Sequence, residues 1–484
     1  MGAESQPGVV DPFERRGRLW AYAIVGFLSL LTVVGSFISD YAIYLAAYLW
    51  FGFVYGTCLQ YGRFCFSSAF RDLFAVGVPR MAVGLMIAMV LFGVVSAFVT
   101  ASGNSTFHPA PYGWHSVIAG LIFGVGMVLT GGCASGSLYK SGEGNVTAML
   151  VVLAISLSQA IFVDVGGWLN ALVPQTWREA AANRGLPPEI TVGDGWIDQY
   201  LAGHVWNQPI ATYGELLGFG NPYAAAFVGN VLIGIVLPAA VALAAIYFVW
   251  YRKSDLRKRR EAGGVRPGFA AELAGYWRMI AASRRTAVAG LVLGVAAGLH
   301  MYVMKGLQLK FGVSNFADLM AAMGFTSGIS IKGTVFDPGY WYLTTQEAQL
   351  VGWILDKLGW NITDNIFFGL ENGIPNPILN PALWMTAALI LGAAAMALLH
   401  GEFKWKGTTL ELATWALIGG TLMGIGSRLG LGCSVGGFFS RVSQGDVSGW
   451  IFGAGMFAGA YLGVKFFNWW TERKMAREMA AFGP

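Results

Sequence analysis

Apolar runs about as long as a bilayer core is thick recur along the whole chain. They fall at about 19–38, 41–57, 79–100, 113–130, 146–165, 223–251, 286–304, 382–400, 412–428 and 449–469. A helix needs about 20 apolar residues to cross a bilayer, so the pattern predicts about ten transmembrane helices. The first run, LWAYAIVGFLSLLTVVGSFI, is too long for a signal-peptide core and shows no small-residue cleavage site, so it reads as a retained helix. One stretch breaks the pattern from within: MVLTGGCASGSLYKSGEG (127–144) crowds glycine, serine and a lone cysteine into otherwise greasy sequence.

Composition supports an all-α polytopic membrane protein. Only 12% of the 484 residues are charged and mean hydropathy is +0.56, against about 25% charged in soluble domains. Charge distribution gives the orientation. Residues 252–285 hold ten Lys/Arg against three acids, whereas 166–222 hold Arg178 and Arg184 against five acids. Positive-inside bias puts the first segment in the cytoplasm and the second outside, with both termini cytoplasmic. ERRGR (14–18) and ERKMAR (472–477) agree.

A repeat orders the spans. GLIFGVGMVLTGGCASGSLY (120–139) aligns without a gap with GTLMGIGSRLGLGCSVGGFF (420–439), an offset of 300. Gly132, Cys133 and Gly136 fall on Gly432, Cys433 and Gly436. A weaker pair, RFCFSSAFRDLF (63–74) and KFGVSNFADLM (310–320), aligns if one residue is skipped, with Cys65 opposite Gly312. Each half has five predicted spans. An odd number reverses direction, so the expected architecture is two inverted five-span repeats, with re-entrant broken segments meeting near the bilayer centre. Irregular backbone at that depth is tolerated only where protein buries it or it lines a cavity.

The divisions expected are a first transmembrane repeat (1–165), an extracytoplasmic insertion (166–222), the first span of the second repeat (223–251) and a basic cytoplasmic loop (252–285). The second repeat then continues (286–322), receives a second extracytoplasmic insertion (323–381) and ends (382–470) before a cytoplasmic tail (471–484). The basic loop suits lipid headgroups or an acidic soluble partner.

Of four cysteines, Cys58 has no repeat partner and reads as packing. Cys65, Cys133 and Cys433 stand at predicted breaks. Neutral thiols donate weak hydrogen bonds, which suits a soft sulfur-bearing anion that must be both bound and released. Gly132, Gly136, Gly432 and Gly436 frame two of the three, and Arg63, Arg71 and Arg428 flank the pathway as candidates for raising local anion concentration. The plainer reading of such cations is pairing with Asp72 or Glu143, or snorkelling. His300 and His400 read as structural. With no CxxC pair, Walker A loop, HExxH or GxSxG motif, the sequence predicts no metal, no cofactor, no nucleic-acid partner and no enzyme activity.

At RFCFSSAFRDLF, GVGMVLTGGCASGSLYKSGEG (124–144) and GIGSRLGLGCSVGGFFSRVSQGDVSGW (424–450), the chain resembles the YeeE/YedE family of sulfur-compound transporters. The resemblance implies uptake of thiosulfate or a related sulfur-containing anion across the bacterial inner membrane, with the relay roles falling on Cys65, Cys133 and Cys433. It also implies, as partners in some members, a TusA-like cytoplasmic sulfur carrier. The external insertions would suit a periplasmic sulfur carrier. Two alternatives remain at this level: a sulfane-sulfur or selenium-species transporter, or a membrane sulfur relay or redox sensor carrying a covalent cysteine persulfide. A structural subunit with a degenerate pore is disfavoured by the intact motifs.

Overall fold

The computed structural model describes residues 12–75, 80–106, 114–164, 218–249, 284–313, 316–324, 343–360 and 377–481, with a few isolated positions between them. Nearly all of the insertion 166–222 and of the basic loop 252–285, and part of 323–381, lie outside the described residues.

The described chain is helical. The first half runs α1 (Pro12–Ile38), α2 (Ala42–Gly62), α3 (Phe66–Ala75), α4 (Arg80–Ala101), α5 (Trp114–Leu129), α6 (Ala134–Gly142) and α7 (Val146–Asp164). Next come α8 (Pro222–Gly229), a π-helical stretch Asn230–Val236, α9 (Leu237–Val249), α10 (Arg284–Phe311), α11 (Phe316–Ala322) and α12 (Thr345–Lys357). The chain closes with α13 (Pro381–Leu399), α14 (Leu410–Leu429), a second π-helical stretch Ser434–Ser440 and α15 (Val447–Ala481). Among the described residues, eight helices are long and apolar enough to span a membrane, or nine if α14 and the segment bent 49° from it count as one broken span. Val146–Phe162 is a shorter apolar helix.

Local chemistry sets the helix ends. Asn380 caps α13 by accepting from the Ala382 and Leu383 amides, with Pro381 in the first turn. Thr409 caps α14 through the Leu412 amide, and Arg428 in its last turn suits the negative end of the helix dipole.

Packing depends on glycines that let backbones touch. A Cβ on Gly124 would strike the Met456 carbonyl and the Ala460 amide, and one on Gly424 would meet the Ile155 carbonyl and the Gln159 amide. So α5 runs parallel to α15, and α14 parallel to α7. Between α5 and α14 the order reverses: a Cβ on Gly126 would meet the Gly419 carbonyl at 2.6 Å, and one on Gly426 the Ala119 carbonyl at 2.8 Å. The outer helices follow the same rule. Gly52 and Gly56 of α2 press on Met385 and Leu389 of α13, while Gly290 and Gly294 of α10 press on Gly84 and Ala88 of α4. Small residues at such crossings permit close van der Waals packing where lipid offers no hydrophobic drive.

One pairing differs from the sequence alignment. That alignment matches α3 with α11, yet α12 is the helix that packs on α7 as α3 packs on α15. Phe70 of α3 lies 4.3 Å, ring to ring, from Phe457 and also touches Phe438. On the other side Ala348 of α12 packs on Ala160, and Glu347 lies beside Leu138 and Ser156.

Candidate functional site

Both glycine-framed stretches are breaks. In the first, α5 ends at Leu129, Gly131 turns left-handed at φ 64°, and Cys133 starts α6. In the second, Leu431 takes the same turn at φ 52° and Cys433 starts the π-helical stretch. Left-handed backbone is strained for leucine, so the second break holds a conformation that the first obtains from glycine.

Each break is clamped by a cation about one helical segment later. Lys140 Nζ donates to the Gly131 carbonyl at 2.8 Å. Arg441, fully buried, donates to the Gly430 carbonyl at 3.3 Å and to the Leu431 carbonyl at 2.8 Å.

Cys133 is the cap of α6. Its sulfur accepts from the Gly136 amide at 3.3 Å and lies 3.3 Å from Ser135 Oγ. Cys65 enters from the break between α2 and α3, where Arg63 caps α2 at φ 52°. Its sulfur lies 3.8 Å from that of Cys133, and both are buried. Gly136 makes the approach possible: a Cβ there would stand 2.5 Å from Cys65 Sγ and 3.3 Å from Cys133 Sγ. Gly132 backs the turn near Ser137, and Gly432 packs against Gly437. Gly436 is buried in the first turn after Cys433.

Cys433 is also buried, at the second break, and makes no capping hydrogen bond of the Cys133 kind. In the same half the hydroxyls of Ser427, Ser434, Ser440, Ser443 and Ser448 are buried without a hydrogen-bond partner among the described residues, Ser434 standing next to Cys433 in the chain. Buried hydroxyls are ordinarily satisfied, so this group has donor capacity to offer a polar guest. The structure thus brings Cys65 and Cys133 together, with Cys433 in the same buried core. Cys58 is buried on α2.

The flanking arginines are engaged. Arg71 pairs with its neighbour Asp72 at 3.0 Å, as the plainer reading expected. Arg63 pairs with Glu402 at 3.1 Å, and Gln60 Nε2 donates to the other oxygen of that carboxylate at 2.8 Å. Burial works the other way, but the Gln60 and Arg63 contacts hold the Glu402 carboxyl below its usual range. Nearby, burial pushes the Glu143 carboxyl up, opposed by Lys406 at 3.9 Å. Backbone bonds from Lys404 to Glu143 and between Lys406 and both Gly144 and Val146 tie this end of α6 to the 401–409 loop. His300 is buried beside Tyr55 Oη at 3.0 Å and stacks on Phe51, a structural placement. Among the described residues no group of three or more His, Cys, Asp or Glu could hold a metal.

A family model described as sulphur transport matches residues 61–462, which include all three break cysteines. The chain belongs to the sulphur transport family. This agrees with the YeeE/YedE resemblance, and makes the protein a multi-pass membrane transporter rather than an enzyme. Among its relatives is the thiosulfate transporter TsuA of Spirochaeta thermophila, 27% identical over 414 residues that cover 83% of this chain and 92% of the relative. The Escherichia coli thiosulfate transporter TsuA is 35% identical over 111 residues, 23% of this chain and 32% of its own. The probable transporter YedE of Escherichia coli is 33% identical over 139 residues, 28% of this chain and 33% of its own.

Proposed function

We propose that this sulphur transport family member takes up thiosulfate or a related sulfur-containing anion across the bacterial inner membrane, along a path between the two breaks. Cys65, Cys133 and Cys433 pass the anion on by transient S–H hydrogen bonds. The observation that carries this reading is the pair of buried thiols 3.8 Å apart, which Gly136 lets approach each other. The unpartnered hydroxyl of Ser434, next in the chain to Cys433, adds a donor at the second break. Neutral donors suit conduction, which needs weak binding at several successive sites. Gly132, Gly136, Gly432 and Gly436 keep side chains out of the path, and Arg63, Arg71 and Arg428 flank it, the first two paired with Glu402 and Asp72.

The two halves act as inverted repeats. Support comes from the reciprocal contacts: what Gly124 and Gly126 meet in the second half, Gly424 and Gly426 meet in the first. Both termini and the 252–285 loop face the cytoplasm, where a TusA-like carrier would receive sulfur. The 166–222 insertion faces outward, where a periplasmic carrier would deliver it.

The test is uptake of radiolabelled thiosulfate into proteoliposomes by wild type, Cys433→Ala and Cys433→Ser. Loss in the alanine variant with partial retention in serine supports a hydrogen-bonding relay, because a hydroxyl donates but carries no sulfane sulfur. Loss in both, with a cysteine persulfide seen by mass spectrometry during turnover, replaces it with a covalent relay. Unchanged uptake in both variants defeats the proposal.

A further inference from the structure

α12 is not one of the spanning helices, yet its first turn is deeply buried: Gln346, Glu347, Ala348 and Gln349 are all 7% exposed or less. Around this turn neutral polar side chains bond one another, while the Gln159 and Gln346 side-chain oxygens have no hydrogen-bond partner among the described residues. Gln346 donates to Thr386 at 2.9 Å, Asn380 to Gln349 at 3.1 Å and Gln159 to Thr344 at 3.3 Å. Glu347 is left out. Neither carboxylate oxygen has a hydrogen-bond partner among the described residues. Its side chain lines a small cavity with Ala134 and Leu138 of α6 and with Val152, Ile155 and Ser156 of α7.

This place has a counterpart in the other half. Phe70 of α3 packs on Phe438 and Phe457, which align with Leu138 and Ser156 at offsets of 300 and 301. One half fills the position with a phenyl ring and the other with a carboxyl group. Apolar walls suit the ring; an unpartnered buried carboxyl costs about 1–3 kcal/mol or more. Glu347 also lies within electrostatic reach of the Cys433 thiol and borders the segment that Cys133 caps.

We propose that Glu347 is a proton-binding gate on the anion path, open when its carboxyl is neutral and closed when it is ionised. A carboxylate beside a passage of low dielectric repels a divalent anion strongly. The neutral acid removes that repulsion and offers an O–H donor next to the thiols. The proton comes from the water outside and returns to it, so no co-reactant is needed. Apart from the Cys433 thiol, the elements packed on Glu347 present no titratable group among the described residues. α6 and α7 present Ala134, Leu138, Val152, Ile155 and Ser156, α13 presents Thr386, whose neutral hydroxyl favours the ionised carboxyl weakly against burial, and the Pro377–Leu379 turn holds no titratable group. Asp356 and Lys357, at the far end of α12, pair with each other at 3.7 Å. Burial pushes the Glu347 carboxyl up to about 8, so the neutral form prevails near neutral pH.

The gate rests on the thiosulfate-uptake reading, and the experiment separates the two. Radiolabelled thiosulfate uptake is measured in proteoliposomes with equal pH on both sides, from about pH 6 to about pH 9, for wild type, Glu347→Gln and Glu347→Asp. Thiosulfate stays a dianion throughout, so the substrate does not titrate. Wild-type uptake is expected to fall about tenfold by about pH 9, one unit above the midpoint. Glu347→Gln, fixed in the neutral form, is expected to stay flat, and Glu347→Asp to shift the midpoint. A wild-type profile flat with pH, or the wild-type fall retained in Glu347→Gln, overturns the gate alone. No wild-type uptake at any pH overturns the transport reading and the gate with it. Should Glu347→Gln fail to fold, an unshifted midpoint in Glu347→Asp overturns the gate.

Discussion

Gly136 faces Cys65 so closely that a single added methyl group would stand 2.5 Å from the sulfur. No side chain fits there unless Cys65 moves, so the spacing of the two thiols is set by an absent atom. Gly136→Ala is expected to cost about 1–3 kcal/mol of stability, the usual range for overpacking. It should also cut thiosulfate uptake at least tenfold while the protein still elutes as a single species. Paired thermal unfolding and uptake assays read the two effects separately. Uptake at wild-type level would show that the Cys65–Cys133 approach is not on the path.

Cys65, from the break between α2 and α3, meets Cys133 at the first glycine-framed break, so the variants should not be equal. Cys133 caps α6 as well as facing Cys65. Cys133→Ser keeps a capping oxygen, whereas Cys133→Ala loses the cap, at a cost of about 1 kcal/mol. Cys65 has no capping bond, so Cys65→Ala should abolish uptake with a smaller drop in unfolding temperature. Cys58→Ala should leave uptake unchanged. Loss of uptake in the Cys58 variant would bring a fourth thiol into the path.

Lys140 and Arg441 clamp the two breaks by the same device, but unequally. Arg441 is fully buried and holds two carbonyls, while Lys140 is partly exposed and holds one. Each stranded buried carbonyl costs about 1–3 kcal/mol. Arg441→Met should therefore lower the unfolding temperature more than Lys140→Met does. The reverse order in nanodisc melts would reject the clamp reading.

The two carboxylates near Arg63 should show opposite pH signatures. Contacts with Gln60 and Arg63 depress the Glu402 pKa, so the stability it contributes is present above the ordinary carboxylate range and is lost as pH falls through its folded-state value. Burial raises the Glu143 pKa, so its contribution is fullest in acid and is lost as pH rises through its folded-state value. Glu402→Gln should thus destabilise at neutral pH and converge with wild type in acid. Glu143→Gln should be closest to wild type in acid and gain on it toward neutral pH. Melts across a pH series compare the two, and parallel curves would contradict the assignment.

Much of the site was legible because the repeat is local. Seven matched positions around Cys133 and Cys433 located both breaks without any three-dimensional information. Arg71 was legible for the same reason, since its partner is its neighbour Asp72. Arg63 was not, because Glu402 lies 339 residues away. Glu347 was hidden more deeply. The weak match of 63–74 with 310–320 follows chain order, but the place of α3 in the second half is taken by α12, which lies inside a segment that reads as an external cap. A lone acid in such a segment looks solvated until the fold turns it inward. The buried serine hydroxyls of the second half escaped notice because serine tolerates either setting.

The way the halves exchange partners bears on biogenesis. α5 and α7 find their closest glycine contacts on α15 and α14, and α2 and α4 find theirs on α13 and α10. When the ribosome has released only the first seven helices, those notched surfaces still face lipid. The bundle therefore closes late, when the C-terminal helices insert between elements that have been waiting in the membrane. A chain cut within the 252–285 loop should yield two inserted fragments that are stable only when made together.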